Sequence, residues 1–132
     1  MKRTGLIGGL SWKSTSVCYS MLNTYFALGA EPWVQPEVII DSLNFGAVVE
    51  FQAEQKWSET ARLLTASACR REAAGATVVA ISANTLHINY DKVSAAVQLP
   101  VLDIRNAVVN ELEAMGEHCV ALLGTRYLLE AE

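Results

Sequence analysis

Ile81-Ser82-Ala83-Asn84-Thr85-Leu86-His87 follows the apolar run Ala76-Thr77-Val78-Val79-Ala80 and shares Ile81 with it. A run this rich in valine and isoleucine reads as a strand buried on both faces, the kind found inside a parallel sheet. The abrupt change to Ser82, Asn84, Thr85 and His87 marks its carboxyl end. In open α/β sheets ligands bind just beyond the carboxyl ends of the strands, so these four side chains stand where chemistry is expected. A polar turn leaving a buried strand explains the same residues, and pattern alone leaves both readings open.

Working outward, the chain repeats strand and helix. Thr4-Gly5-Leu6-Ile7-Gly8-Gly9 reads as a short strand entering a glycine turn. Ser11 follows as a candidate N-cap whose side-chain oxygen would satisfy a free amide of the first helical turn. Cys18, Met21, Leu22, Tyr25 and Leu28 recur at helical spacing, and Gly29 stops that helix. Strand, glycine turn and helix start form a place where backbone amides can hold an anion. Gly5, Gly8 and Gly9 do not match the spacing of a dinucleotide fingerprint. A carboxylate is the plausible anion, and close strand–helix packing accounts for the glycines almost as well.

Pro32 to Pro36 reads as a loop and residues 37–44 as the second strand, with Asn44 facing a cleft or serving a turn. Ala53, Trp57, Ala61, Leu64 and Ala68 mark a long amphipathic helix ended by Gly75. A short helix is expected over 89–97 and a fourth strand over 101–104. A helix carrying Val108, Leu112 and Met115 closes at Gly116, and a fifth strand is expected over 118–123. This order predicts an α/β fold, a parallel sheet flanked by helices. The chain stops at Leu128-Leu129-Glu130-Ala131-Glu132, where a further helix should begin, so the sequence reads as cut short. Self-association would be one way of covering a strand left at the edge.

The chain has 132 residues, half of them hydrophobic, which suits a packed domain and not a disordered one. A formal charge of −4 with no basic cluster argues against nucleic acid. Arg70 and Arg71 read as the solvated face of a helix. No apolar run is long enough to span a membrane, and the stretch after Met1-Lys2-Arg3 is too short for a signal core. Cys18, Cys69 and Cys119 are odd in number and lack metal-ligand spacing, so each is expected as a small buried residue of a reduced, soluble, cytoplasmic protein.

Four stretches together resemble the aspartate/glutamate racemase family of cofactor-independent amino-acid racemases. They are Gly5-Leu6-Ile7-Gly8-Gly9-Leu10-Ser11-Trp12-Lys13-Ser14-Thr15, Ser42-Leu43-Asn44-Phe45, Ser82-Ala83-Asn84-Thr85-Leu86-His87 and Leu122-Leu123-Gly124-Thr125-Arg126-Tyr127. The resemblance implies a flavodoxin-like α/β lobe over residues 1–98 and the opening of a second lobe over 99–132, with the active site between lobes. It implies no cofactor and no metal, and a small acidic amino acid or other carboxylate as the ligand. In the family one group removes the α-proton and another supplies a proton to the opposite face, and both groups are thiols.

The first thiol normally stands immediately before the Asn-Thr pair. Here that position is Ala83, which cannot carry a proton. Ser82 is adjacent, but neighbours on an extended strand point to opposite sides, and a hydroxyl without an activating partner is a poor base. None of the three cysteines matches the second thiol. By resemblance Ser11, Asn44, Asn84, Thr85 and Thr125 hold the substrate, while Gly8 and Gly9 let the backbone approach it. His87 takes a structural role. Trp12 and Lys13 lie near the cleft, Lys13 standing where many relatives carry an acidic residue.

Overall fold

The computed structural model describes residues 2–29, 31 and 33–130. Pro32, the start of the expected loop, and Ala131 and Glu132, in the expected last helix, lie outside the described residues. Four strands form one parallel sheet: β1 (Arg3–Gly8), β2 (Glu37–Ser42), β3 (Val78–Ile81) and β4 (Val101–Leu102), in the order β2-β1-β3-β4. The helices are α1 (Trp12–Ala27), α2 (Phe45–Ala53), α3 (Trp57–Ala73), α4 (Tyr90–Ala95), α5 (Ile104–Met115) and α6 (Arg126–Leu129), with a 3-10 turn at Thr85–Asn89.

Two glycines of β1 show how the layers meet. A Cβ on Gly5 would lie 2.8 Å from Cβ of Arg71 on α3, and one on Gly8 would lie 2.5 Å from Cγ2 of Thr15 on α1. Residues at odd and even positions of a strand face opposite sides, so α3 and α1 cover opposite faces of the sheet. On the α3 face the register aligns Ile7 with Ile81, and Gly5 with Val79. Ile7, Val79, Ile81 and Val101 pack there with Val48, Leu64, Ala68, Leu86 and Val93 as one buried cluster.

Asp41 of β2 is aligned with Ile7 and so points toward α3 as well. Its Oδ2 accepts from Ser67 Oγ at 2.7 Å and from Arg70 Nη2 at 2.6 Å, and lies 2.9 Å from Arg71 Nη1. Arg71 is therefore not on a solvated face: it is 7% exposed, its stem filling the space that Gly5 leaves. Burial lowers the pKa of its guanidinium. Asp41 supplies the opposite charge, without which a buried cation is strongly unfavourable.

The α1 face is covered less completely. Thr15 is buried, and Cys18, Leu22 and Phe26 are half-buried along one line of the helix. Met21, Tyr25 and Leu28 form a second line and are 49%, 66% and 78% exposed. The single apolar stripe read from the sequence is thus two stripes about one-quarter turn apart, and only one meets the sheet.

Two boundaries differ from expectation. A separate α2 occupies 45–53, and Ala53 ends it instead of opening the next helix; Gln55, at φ 53°, turns the chain into α3. Residues 118–123 form no strand. Leu122 and Leu123 are 64% and 90% exposed, and a strand needs a neighbour with which to exchange backbone hydrogen bonds. β4 pairs with β3 in the sheet, and beyond Leu102 no described residue is buried. Among the described residues no helix is long and apolar enough to cross a membrane.

Candidate active-site cleft

A cleft of about 580 Å³ opens at the carboxyl ends of β1 and β3. Its walls come from Leu10 and Ser11 after β1, from residues 81–86 around the end of β3, from Phe45 and Gln52 of α2, and from residues 124–128. The last segment is held by two contacts. The Thr85 and Thr125 hydroxyl oxygens are 2.9 Å apart, and Tyr127 meets Trp57 edge-on with ring centres 5.6 Å apart. Thr125 also caps α6, its Oγ1 accepting from Leu128 N at 3.3 Å.

Of the residues expected at the site, Ser11, Ala83, Asn84, Thr85 and Thr125 line this cleft. Asn84 makes no side-chain capping bond, which leaves its amide free for a ligand. Asn44 is outside the lining: it caps α2, its Oδ1 accepting from Gly46 N at 3.0 Å. Gly8 and Gly9 are buried and also outside the lining. Their lack of side chains is explained by Thr15 and by the Leu43 backbone, which a Cβ on Gly9 would approach to 2.2 Å. Trp12 and Lys13 are exposed and pair with each other, the Lys13 ammonium 6.0 Å from the Trp12 ring centre.

The glycine turn and helix start form a closed polar knot. Ser11 holds the N-cap position of α1 but makes no side-chain capping bond. Its carbonyl instead accepts from Ser14 Oγ at 2.9 Å and Thr15 Oγ1 at 3.1 Å, and Thr15 Oγ1 accepts from Gly9 N at 2.9 Å. The Gly9 amide, a natural anion donor by position, is therefore satisfied inside the protein. Ser82 belongs to the same knot: its Oγ donates to Ile7 O at 3.0 Å and lies 3.1 Å from Thr15 Oγ1. Ala83, one residue on, packs against the core cluster and lines the cleft.

His87 is 3% exposed. Its Nδ1 lies 2.8 Å from Ala83 O, and a carbonyl can only accept, so Nδ1 carries the proton. Nε2 then accepts from Ile104 N at 3.4 Å. Both nitrogens are used in tying the Ala83 backbone to the start of α5, and neither is free for proton transfer to a ligand.

Asp103 caps α5, Oδ1 accepting from Arg105 N at 2.9 Å, while Oδ2 accepts from Arg105 Nη2 at 2.6 Å. The Arg105 guanidinium holds the Asp103 carboxyl below its ordinary value, against the opposing effect of burial. The folded pKa is thus below the unfolded one. The stabilisation is complete above the unfolded value of about 3.9 and is lost as pH falls through the folded one. We expect acid to release α5, read as lost amide-exchange protection over 104–115 below about pH 4. Asp103→Asn keeps the cap without the titration, so its α5 should show a smaller pH response; an equal response would exclude Asp103 as the cause.

Gln52, Cys18 and Ser14 also line the cleft, and none of the three was expected there. Gln52 sits on the helix that the periodicity did not resolve. Cys18 is half-buried beside the cleft and Cys69 and Cys119 are exposed, so the three thiols are not the buried residues expected. Helix α3 and the sheet fill the core without them. Arg126 lies inside a motif stretch and is the one charged residue in the described lining.

The solved structure of a Yersinia pestis protein assigned as an Asp/Glu racemase superposes with a TM-score of 0.93 at 36% identity, over 98% of this chain and 56% of that one. An aspartate racemase homologue from Pyrococcus horikoshii gives 0.81 at 34% identity, over 88% of this chain and 50% of that one. The chain therefore spans about half the length of these matched structures. The Asp/Glu/hydantoin racemase family profile matches residues 7–131. With that match over nearly its whole length, and with the parallel sheet shared with the solved structures, the chain belongs to the Asp/Glu/hydantoin racemase family.

Proposed function

We propose that this chain binds a small acidic amino acid, such as aspartate or glutamate, as the binding lobe of a cofactor-independent racemase or isomerase. Its setting is the reducing cytoplasm, in keeping with three free cysteines. The observation that carries the reading is the meeting of Asn84, Thr85 and Thr125 in one cleft, joined by the 2.9 Å contact between the two threonine hydroxyls. Neutral hydroxyl and amide donors lining one cleft suit a carboxylate, because each bond to a charged acceptor is stronger than its neutral equivalent.

Ala83 favours a second reading for the chain by itself, a binding module without proton transfer. Its methyl group has no proton to exchange, and the neighbouring Ser82 hydroxyl is committed to Ile7 O and Thr15. The test is incubation with L-aspartate or L-glutamate in heavy water, followed by NMR of the α-proton. We expect no loss of signal above a protein-free control, together with a rise in melting temperature on adding the amino acid. Loss of the α-proton signal would show that another base operates. Absence of both α-proton loss and stabilisation would exclude these amino acids as ligands.

A further inference from the structure

The polar lining of the cleft is unbalanced in charge. Among its described residues Arg126 is the one charged side chain, and none is acidic. Arg126 directly follows Thr125, whose hydroxyl meets Thr85, and it lines the same cleft as these neutral donors. Its pairing inside the protein is loose. The closest approach to Glu130 is 3.5 Å, with the two side chains 70% and 67% exposed. An exposed pair of that kind holds a guanidinium weakly, leaving it available to a better-placed anion.

Neutral donors can receive one carboxylate, but a second needs a compensating charge when it enters a largely apolar cleft. Among its described residues the lining offers no carboxylate to an ammonium group. Resting on the reading of the cleft as a carboxylate site, we propose that Arg126 is the specificity-determining residue, selecting ligands with a second carboxylate. The ligand class is a short aliphatic dicarboxylate, with or without an amine. The guanidinium takes the distal carboxylate while Asn84, Thr85 and Thr125 hold the proximal one, and the amine contributes little to affinity.

Calorimetry on the chain and on Arg126→Gln, with L-aspartate, L-asparagine and succinate, tests this. L-Asparagine has the shape of L-aspartate without the second charge, and succinate has both charges without the amine. We expect L-aspartate and succinate to bind within a few-fold of one another. Arg126→Gln should weaken both on the order of ten-fold and shift L-asparagine by less than about two-fold. Arg126→Lys should recover part of the loss, and the ligand-free melting temperature should stay unchanged because the side chain is exposed.

If L-aspartate binds the chain and Arg126→Gln equally, the selection by Arg126 is wrong while the amino-acid reading stands. If succinate binds through Arg126 and neither amino acid binds, the amino-acid reading fails while the selection stands. A marked preference for L-aspartate over succinate would overturn the claim about the amine. Absence of binding by all three at millimolar concentration would overturn both readings.

Discussion

Replacing Ala83 by cysteine is expected to switch on α-proton exchange. Residue 83 lines the cleft beside Asn84 and Thr85, and its carbonyl is fixed by His87 Nδ1 at 2.8 Å. A thiol there would sit next to the donors proposed to hold the substrate carboxylate, at the position where the family resemblance expects the first thiol. A positioned general base contributes on the order of 10²- to 10⁴-fold, and we expect α-deuterium uptake by L-aspartate at least about 10²-fold above the unaltered chain. The thiolate is the active form, so the rate should rise with pH through the ordinary thiol range near 8.5.

One base can reach only one face of the α-carbon. It exchanges its own proton with solvent and returns a deuteron to the same side, so uptake should proceed without loss of optical purity. Ala83→Ser should remain inactive because an unactivated hydroxyl is not appreciably ionised near neutral pH. A folded Ala83→Cys chain that binds L-aspartate and leaves its α-proton untouched would show that residue 83 does not face the substrate carbon.

The largest loss of stability is expected from Gly9→Ala. Gly9 has φ +80°, and a Cβ on it would lie 2.2 Å from Leu43 O and 2.4 Å from Leu43 N. Two costs combine. An L-residue in the left-handed region loses about 1–2 kcal/mol. The clash is with backbone, which cannot rotate away, so β1 and the exit of β2 must separate at a cost of about 1–3 kcal/mol. The Leu43 N to Gly8 O bond at 3.0 Å lies in the same place and would be strained as they part.

The sum, about 2–5 kcal/mol, is a large share of a typical domain's total stability. Gly116→Ala is the control. Gly116 has φ +75° with nothing within 4 Å of its Cβ position, so only the conformational cost of about 1–2 kcal/mol should remain. Urea denaturation of both variants measures the difference. Equal losses would mean that the close approach of Gly9 to Leu43 does not limit the fold.

Much of this fold is legible in local pattern. The valine-rich run before Ser82 predicts β3, the glycine turn predicts the step from β1 into α1, and Gly116 marks the end of α5. These are properties of a few neighbouring residues: branched side chains suit a buried strand, and a left-handed helix end suits glycine. The family motifs also bring Asn84, Thr85 and Thr125 to attention from sequence, although a polar turn leaving a buried strand explains Asn84 and Thr85 as well.

The remainder depends on partners distant in the chain. Helix α2 is hidden because Phe45–Ala53 is apolar on most sides, so its period does not stand out until Val48 is seen in the core. The two apolar lines of α1 are indistinguishable in sequence, and only the position of the sheet decides that Leu22 turns inward and Tyr25 outward. Arg71 reads as a surface cation until Asp41, Ser67 and the bare Gly5 are brought beside it.

The same division runs through the site. Sequence by itself determined the α/β class, the motif stretches and the absence of a proton-carrying group at Ala83, since each follows from residue identity and local spacing. Tertiary structure alone decided that Gly9 and Ser82 are consumed by a polar knot with Thr15 and that Asn44 is spent on capping α2. It also decided that Thr125 meets Thr85 across a cleft whose lining includes Arg126, because hydrogen bonds and charge act through space and depend on which distant residues the fold brings together.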